Sequence, residues 1–436
     1  MISKKLNQEV KVKKLLTVVT GIAVVSTLFA ADPVRVRATR ESAVYQVGET
    51  VEFKVTGAGE NMTYSVADGT EKSPFIPLTG DTVTVKAKKP GFIRVSVDTG
   101  DKDSKGKKVF SVGAVAVEPE NIRAVSKRPT DFDQFWDEEL RKMRQHPLEV
   151  VRETPIPEEI MAKRPNGKNM LGYEIEVKRG DISVTGFFFV LKDAKPKSLP
   201  AVLTFNGASQ VTAHFVWGSG MAASFGMVFN TNFHAFPNLI ERDKKAEAPY
   251  RKKVAGYMIK KADDRDAYAM RKIFLRTALA ADYIMSRPEF DGTHLGAIGS
   301  SLGGCQAFVC AALVPEVIYC VSNATAMCDH WGTDAGRLAG WPHILIRTKK
   351  LPETMAYFDL VNFAPRIKCF TEMSVGFIDS TCPPESTYAA FNALTCEKKM
   401  NHTVSGGHGP TWDKKETSPF NRGKKTMMKY FENYNK

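Results

Sequence analysis

Ser301 sits in Gly299-Ser300-Ser301-Leu302-Gly303, a G-x-S-x-G pattern between the apolar run Leu295 to Ile298 and the helix-like stretch Gln306-Ala307-Phe308-Val309. A serine on a tight strand-to-helix turn needs glycines around it, because a β-carbon would clash where the backbone bends. Such a turn presents the Ser301 hydroxyl at the carboxyl end of a sheet and aims the backbone N–H of Leu302 at an oxyanion. A serine hydroxyl is a weak nucleophile, so it needs a base within hydrogen-bonding reach and an acid to orient that base. His408, in the flexible stretch Ser405-Gly406-Gly407-His408-Gly409-Pro410, is the best base, with His234 and His402 as rivals. Asp379 is the best acid, because it stands just past the apolar, strand-like Phe370 to Phe377; Asp329 and Asp334 compete with it.

A second oxyanion donor should come from a loop after an early strand. Leu203-Thr204-Phe205-Asn206-Gly207-Ala208-Ser209 supplies such a loop, with the N–H of Ala208 as the donor. Trp331, Arg337 and Trp341 lie in a stretch, residues 329–342, that reads as a lid over the pocket. Tryptophan faces stack on sugar rings and an arginine meets hydroxyls or a uronate, so the three are read as substrate-binding residues. The competing reading is that the tryptophans pack the lid onto the core.

The elements that must position these groups follow in chain order. From Val34 to about Pro119 the apolar residues alternate with period two, as in Val51 to Val55, Thr82 to Val85, Phe92 to Val97 and Val112 to Val117. Gly48, Gly57, Gly80 and Pro90-Gly91 punctuate the runs, and short strands at this spacing predict a small immunoglobulin-like sandwich over residues 33–118. Thr130-Asp131-Phe132-Asp133 has the shape of a capping box, opening a helix whose apolar stripe is Phe132, Phe135, Trp136, Leu140 and Met143. Beyond it, strands at Tyr173 to Val177, Ser183 to Leu191, Pro200 to Phe205 and Met227 to Phe233 precede an amphipathic helix from Met270 to Ser286. Further strands fit Tyr319 to Ser322 and Cys369 to Gly376, while the charged stretch Lys244 to Asp266 reads as a loop. This alternation predicts an α/β fold over residues 119–436, a mostly parallel sheet with helices on both faces. The order Ser301, Asp379, His408 is the order of the α/β-hydrolases.

Composition sets the outer bounds. With 436 residues, 43% hydrophobic and 25% charged, the chain has room for two domains and a large core. The net charge is +13, yet no compact Lys/Arg run is interleaved with aromatics, which argues against a nucleic-acid partner. Part of the charge sits in residues 1–31, where five lysines precede an apolar run from Leu15 to Phe29 and the pair Ala30-Ala31. That is the layout of an export signal, expected to be cleaved rather than kept as a membrane anchor, and no other segment could span a membrane. Seven cysteines, without a C-x-x-C pair, suggest neither a zinc site nor a dense disulfide framework.

From about Arg128 onward the chain resembles the acetyl xylan esterase/cephalosporin C deacetylase family, carbohydrate esterase family seven. The resemblance is carried by Arg128-Pro129-Thr130-Asp131-Phe132-Asp133-Gln134-Phe135-Trp136, by Ser286-Arg287-Pro288-Glu289-Phe290-Asp291, and by Asn362 to Lys368 leading through Gly376-Phe377-Ile378-Asp379 to Pro383-Pro384. It implies that Ser301, Asp379 and His408 form a triad, that acetyl groups are removed from xylose-based sugars without a metal or other cofactor, and that the chain forms a homo-oligomer. The family's oxyanion-loop tyrosine is replaced here by Ala208, its second elbow glycine by Ser300, and the elbow glutamine by Leu302. The expected activity is therefore an exported esterase on acylated carbohydrate. The alternatives are a uronoyl esterase or peptidase on the same scaffold, or a non-catalytic binding protein.

Overall fold

The computed structural model describes residues 33–241, 243–409, 411, 413, 416 and 418–434; the expected leader, residues 1–31, lies outside them. Nine strands form the main sheet, in the spatial order Glu149–Pro155, Met170–Arg179, Ile182–Leu191, Met227–Asn232, Leu199–Phe205, Phe290–Ser300, Val317–Asn323, Phe370–Gly376 and Lys398–Thr403. The first four are joined antiparallel and every later pairing is parallel. All parallel strands therefore end at one edge, the place where open α/β sheets build sites.

Side chains along the inner strands go alternately to the two faces. Phe188, Leu203, Ala297 and Cys320 join one buried cluster with helices Ala269–Met285 and Leu302–Leu313; Phe189, Val202, Ile298 and Val321 join another with Phe215–Phe225 and Pro419–Asn433. Strands buried on both sides read as continuous apolar runs, which is why they were visible in the sequence. The outermost strand, Glu149–Pro155, has no buried residue and no such signal.

Residues 35–117 form a three-stranded and a six-stranded sheet, holding Thr50–Thr56, Thr82–Lys86, Gly91–Lys102 and Lys108–Val117. They belong to the same compact unit as the main sheet, Val34–Lys436.

Two local expectations are corrected. The stretch read as a loop contains a helix, Lys244–Lys253, because Asp243 caps it by accepting from the N–H groups of Lys245 and Ala246 while Glu247 pairs with Arg251 one turn on. The capping box at Thr130 does not form, since the Asp131 carboxylate accepts from Tyr357 and Arg265 and that of Asp133 from Arg128 and Arg366.

Candidate active site

The strand Phe290–Ser300 hands over to the helix Leu302–Leu313 at a single residue, Ser301, whose backbone is held at φ +61° and ψ −125°. That conformation costs a side-chain-bearing residue about 1–3 kcal/mol and persists only where its surroundings enforce it. They do so here by close approach. A β-carbon on Gly299 would lie 2.1 Å from the carbonyl oxygen of Gly303, and one on Gly303 would lie 2.2 Å from that of Phe205. The Ser301 N–H donates to the Asn323 carbonyl at 2.9 Å, and its carbonyl accepts from Ala326 at 3.2 Å. Asn323 also donates its side-chain amide to Ser300 Oγ at 2.8 Å and accepts from the Ser374 hydroxyl, so one residue ties three strand ends together.

Asp379 follows the strand Phe370–Gly376 and is fully buried. Its Oδ1 accepts from the N–H groups of Thr381 and Cys382 at 2.8 and 2.9 Å, which leaves Oδ2 to face Nδ1 of His408 at 2.8 Å. Nε2 of the same ring lies 3.0 Å from Ser301 Oγ. The loop bearing His408 is anchored by Glu416, which accepts from the N–H groups of Val404 and Ser405 and from the Thr411 hydroxyl. Burial pushes the pKa of the Cys382 thiol well above the ordinary thiol range.

The loop after Leu199–Phe205 is pinned at each carbonyl. Gln306 donates to the Asn206 carbonyl at 3.1 Å, the Tyr257 hydroxyl to that of Ala208 at 3.2 Å, and Arg251 to that of Ser209 at 2.7 Å. The Asn206 side chain reaches across to Thr231. Among the described residues no protein group accepts from the N–H of Ala208. Leu302 opens its helix, so its N–H has no partner one turn back. A serine–histidine–carboxylate path at a strand-to-helix turn is an arrangement suited to acyl transfer.

A cavity of about 680 Å³ adjoins the elbow, lined by Asn206, Ser300, Gln210, Trp217, Phe420 and Asn421 among others. The Trp217 and Phe420 rings lie 5.6 Å apart, and Gln210 Oε1 is buried without a partner. Nothing in the sequence pointed to Trp217, because it reads as one apolar residue in an apolar helix.

The residues expected in the lid are placed otherwise. Arg337 is committed to Asp329 and to the Arg123 carbonyl, both at 2.7 Å, and Trp341 is buried at 7% exposure. Trp331 lines a different cleft, of about 1100 Å³, with Arg128, Arg265 and Tyr357. None of the three lines the cavity at the elbow. Two of the rival groups are likewise occupied. His234 is packed among Phe233, Phe236 and Tyr257 and burial pushes its pKa down to about 3; the Asp329 carboxylate is taken by Arg337 and the Val125 N–H. Among the described residues no group of three or more His, Cys, Asp or Glu could hold a metal ion, and no helix is long and apolar enough to cross a membrane.

Comparison with known proteins gives the family and the fold. Residues 117–333 and 346–422 match the model of a family described as acetyl xylan esterase (AXE1). The chain is 30% identical over 395 residues to acetyl esterase Axe7A of Xylanibacter ruminicola, covering 86% of each. Two solved structures share the fold. Acetyl xylan esterase 1 of Thermoanaerobacterium sp. JW/SL YS485 and the acetyl xylan esterase of Paenibacillus sp. R4 each superpose with a TM-score of 0.58 at 22% identity, over 72% of this chain and 98% of theirs.

Proposed function

This chain belongs to the acetyl xylan esterase family, and we propose that it is an exported serine esterase removing acetyl groups from carbohydrate such as acetylated xylan or xylo-oligosaccharides. The family makes it a carboxylic ester hydrolase. The observation that carries the mechanism is the unbroken path from Asp379 through His408 to Ser301, at 2.8 and 3.0 Å.

In this reading His408 Nε2 takes the proton of Ser301 as Oγ attacks the ester carbonyl, while Asp379 orients the ring and stabilises the imidazolium. The N–H groups of Leu302 and Ala208 hold the oxyanion, each donor contributing on the order of 10²-fold in rate. His408 then gives its proton to the departing sugar oxygen as the carbon–oxygen bond to the sugar breaks, leaving the acetyl group on Ser301. Water, deprotonated by the same imidazole, releases acetate and restores the serine. Support for a sugar as the alcohol comes from the cleft at the elbow, whose lining includes the aromatic side chains of Trp217 and Phe420 and the amide side chain of Gln210. Export rests on the lysine-led apolar leader.

The test is hydrolysis of p-nitrophenyl esters from acetyl to butyryl, and of an acetylated xylo-oligosaccharide, by the protein and its Ser301→Ala variant. Acetyl turnover that falls with acyl length, extends to the oligosaccharide and vanishes in the variant is expected. Turnover that survives in the variant would remove Ser301 from the mechanism, and inertness toward the oligosaccharide would remove the substrate.

A further inference from the structure

The N-terminal sheets touch the hydrolase fold at the two loops that carry the acid and the base. Arg94, on the strand Gly91–Lys102, is buried and directs its two terminal nitrogens at the two carboxylate oxygens of Glu385, at 2.8 and 2.7 Å. Glu385 is itself fully buried, in the first turn of the helix Pro384–Ala393 that begins just past Asp379. From the same strand Phe92 packs edge-on against Phe377, two residues before Asp379, with ring centroids 5.1 Å apart, and lies 5.7 Å from Tyr388 on that helix. The segment bearing Asp379 is thus braced by this strand both before and after the carboxylate.

The histidine loop is braced too. Arg37, on the strand Arg35–Ala38, lies 3.0 Å from Asp413, and this strand shares a cavity of about 400 Å³ with Ser405 and Glu416. Glu416 is the residue that holds the turn preceding His408. A third contact reaches the stretch 329–342, where the N–H and hydroxyl of Thr70 both donate to the Gly336 carbonyl.

We infer that the N-terminal β region is a working part of the esterase, with Arg94 as a positioning residue: its two-pronged bond to Glu385 fixes the helix and loop that present Asp379 to His408. The inference rests on the serine-triad reading. Its physical basis is the tolerance of such sites, since a displacement of about 1 Å can cost on the order of 10²-fold in rate. A guanidinium that bonds a carboxylate at two points sets orientation as well as distance, and an ammonium sets distance alone.

Two variants test it in the whole chain, with p-nitrophenyl acetate as substrate and Ser301→Ala as the blank. Arg94→Lys keeps the charge and loses the second bond. Arg94→Met with Glu385→Met removes both charges together, an exchange that proteins commonly tolerate without loss of stability, so the test stays open if the lysine variant does not fold. Both folded variants are expected to lose about 10- to 100-fold in kcat with KM changed by less than about 2-fold, the lysine variant retaining more activity than the double variant. Folded variants with an unchanged kcat would reduce the β region to a packing role and overturn the inference. Turnover in the Ser301→Ala blank would instead sink the triad reading.

Discussion

Nδ1 of His408 faces a buried carboxylate at 2.8 Å, so the ring's own proton belongs there and Nε2 is left as the acceptor toward Ser301. Replacing Asp379 by Asn keeps the shape and turns the preferred tautomer around. We expect kcat for an acetyl ester to fall by about 10⁴-fold with little change in KM; a loss under 10-fold would mean that another group orients the imidazole. Ser301, Asp379 and His408 could be singled out from the sequence because each stands beside a backbone signal: glycines at a strand-to-helix turn, the end of an apolar strand, and a glycine-rich loop. Asn323, Gln306 and Tyr257 carry no such mark. Their roles arise from which loop ends the sheet brings together, and no local spacing encodes that.

Of the elements around the site, one pins the loop after Leu199–Phe205 and two others line the cleft at the elbow. Tyr257 belongs to the stretch after the helix Lys244–Lys253, which reads as featureless because its contacts are long-range; its hydroxyl reaches the Ala208 carbonyl. Tyr257→Phe removes one hydrogen bond, so a stability loss of about 1 kcal/mol is expected in urea unfolding. It should also lower kcat by less than about 10-fold, well short of deleting an oxyanion donor. Trp217 opens the helix Phe215–Phe225 against Phe420, at the start of Pro419–Asn433. Losing a stacking face worth about 1–2 kcal/mol should raise KM for an acetylated xylo-oligosaccharide about 10-fold while leaving p-nitrophenyl acetate nearly unaffected. Equal effects on both substrates would place Trp217 in the acyl pocket or the scaffold. The fold class was legible because the central strands are apolar on both faces. The stretch 329–342 was less so: its tryptophans read either as sugar-binding faces or as packing onto the core, and the fold buries Trp341 and sends Arg337, read as a substrate residue, to Asp329.

Across the whole molecule, two buried histidines link stability to pH. Burial lowers His234 and His330 to about 3, with Arg276 and His343 adding to the shift. Unfolded, both would take up protons near their ordinary value of about 6.5, so below that pH the unfolded chain binds more protons than the native one. Stability from these groups is therefore fully present above about pH 6.5 and is lost as pH falls toward 3, by up to about 1.4 kcal/mol per unit for each histidine. Asp359, whose carboxyl is pushed up to about 7 by burial, acts in the opposite sense over the same range. The two histidines together outweigh it, so urea midpoints should drop between about pH 7 and pH 5; a midpoint that rises over this range would mean that these rings take up protons in the folded state. The most direct measurement on the central claim is the mass of the protein quenched in acid during turnover of an acetyl ester. A population heavier by one acetyl group is expected, with the addition confined to the peptide that holds Ser301. An acetyl group found on any other residue, or an initial burst of p-nitrophenol from p-nitrophenyl acetate with no matching acetylated protein, would contradict that claim.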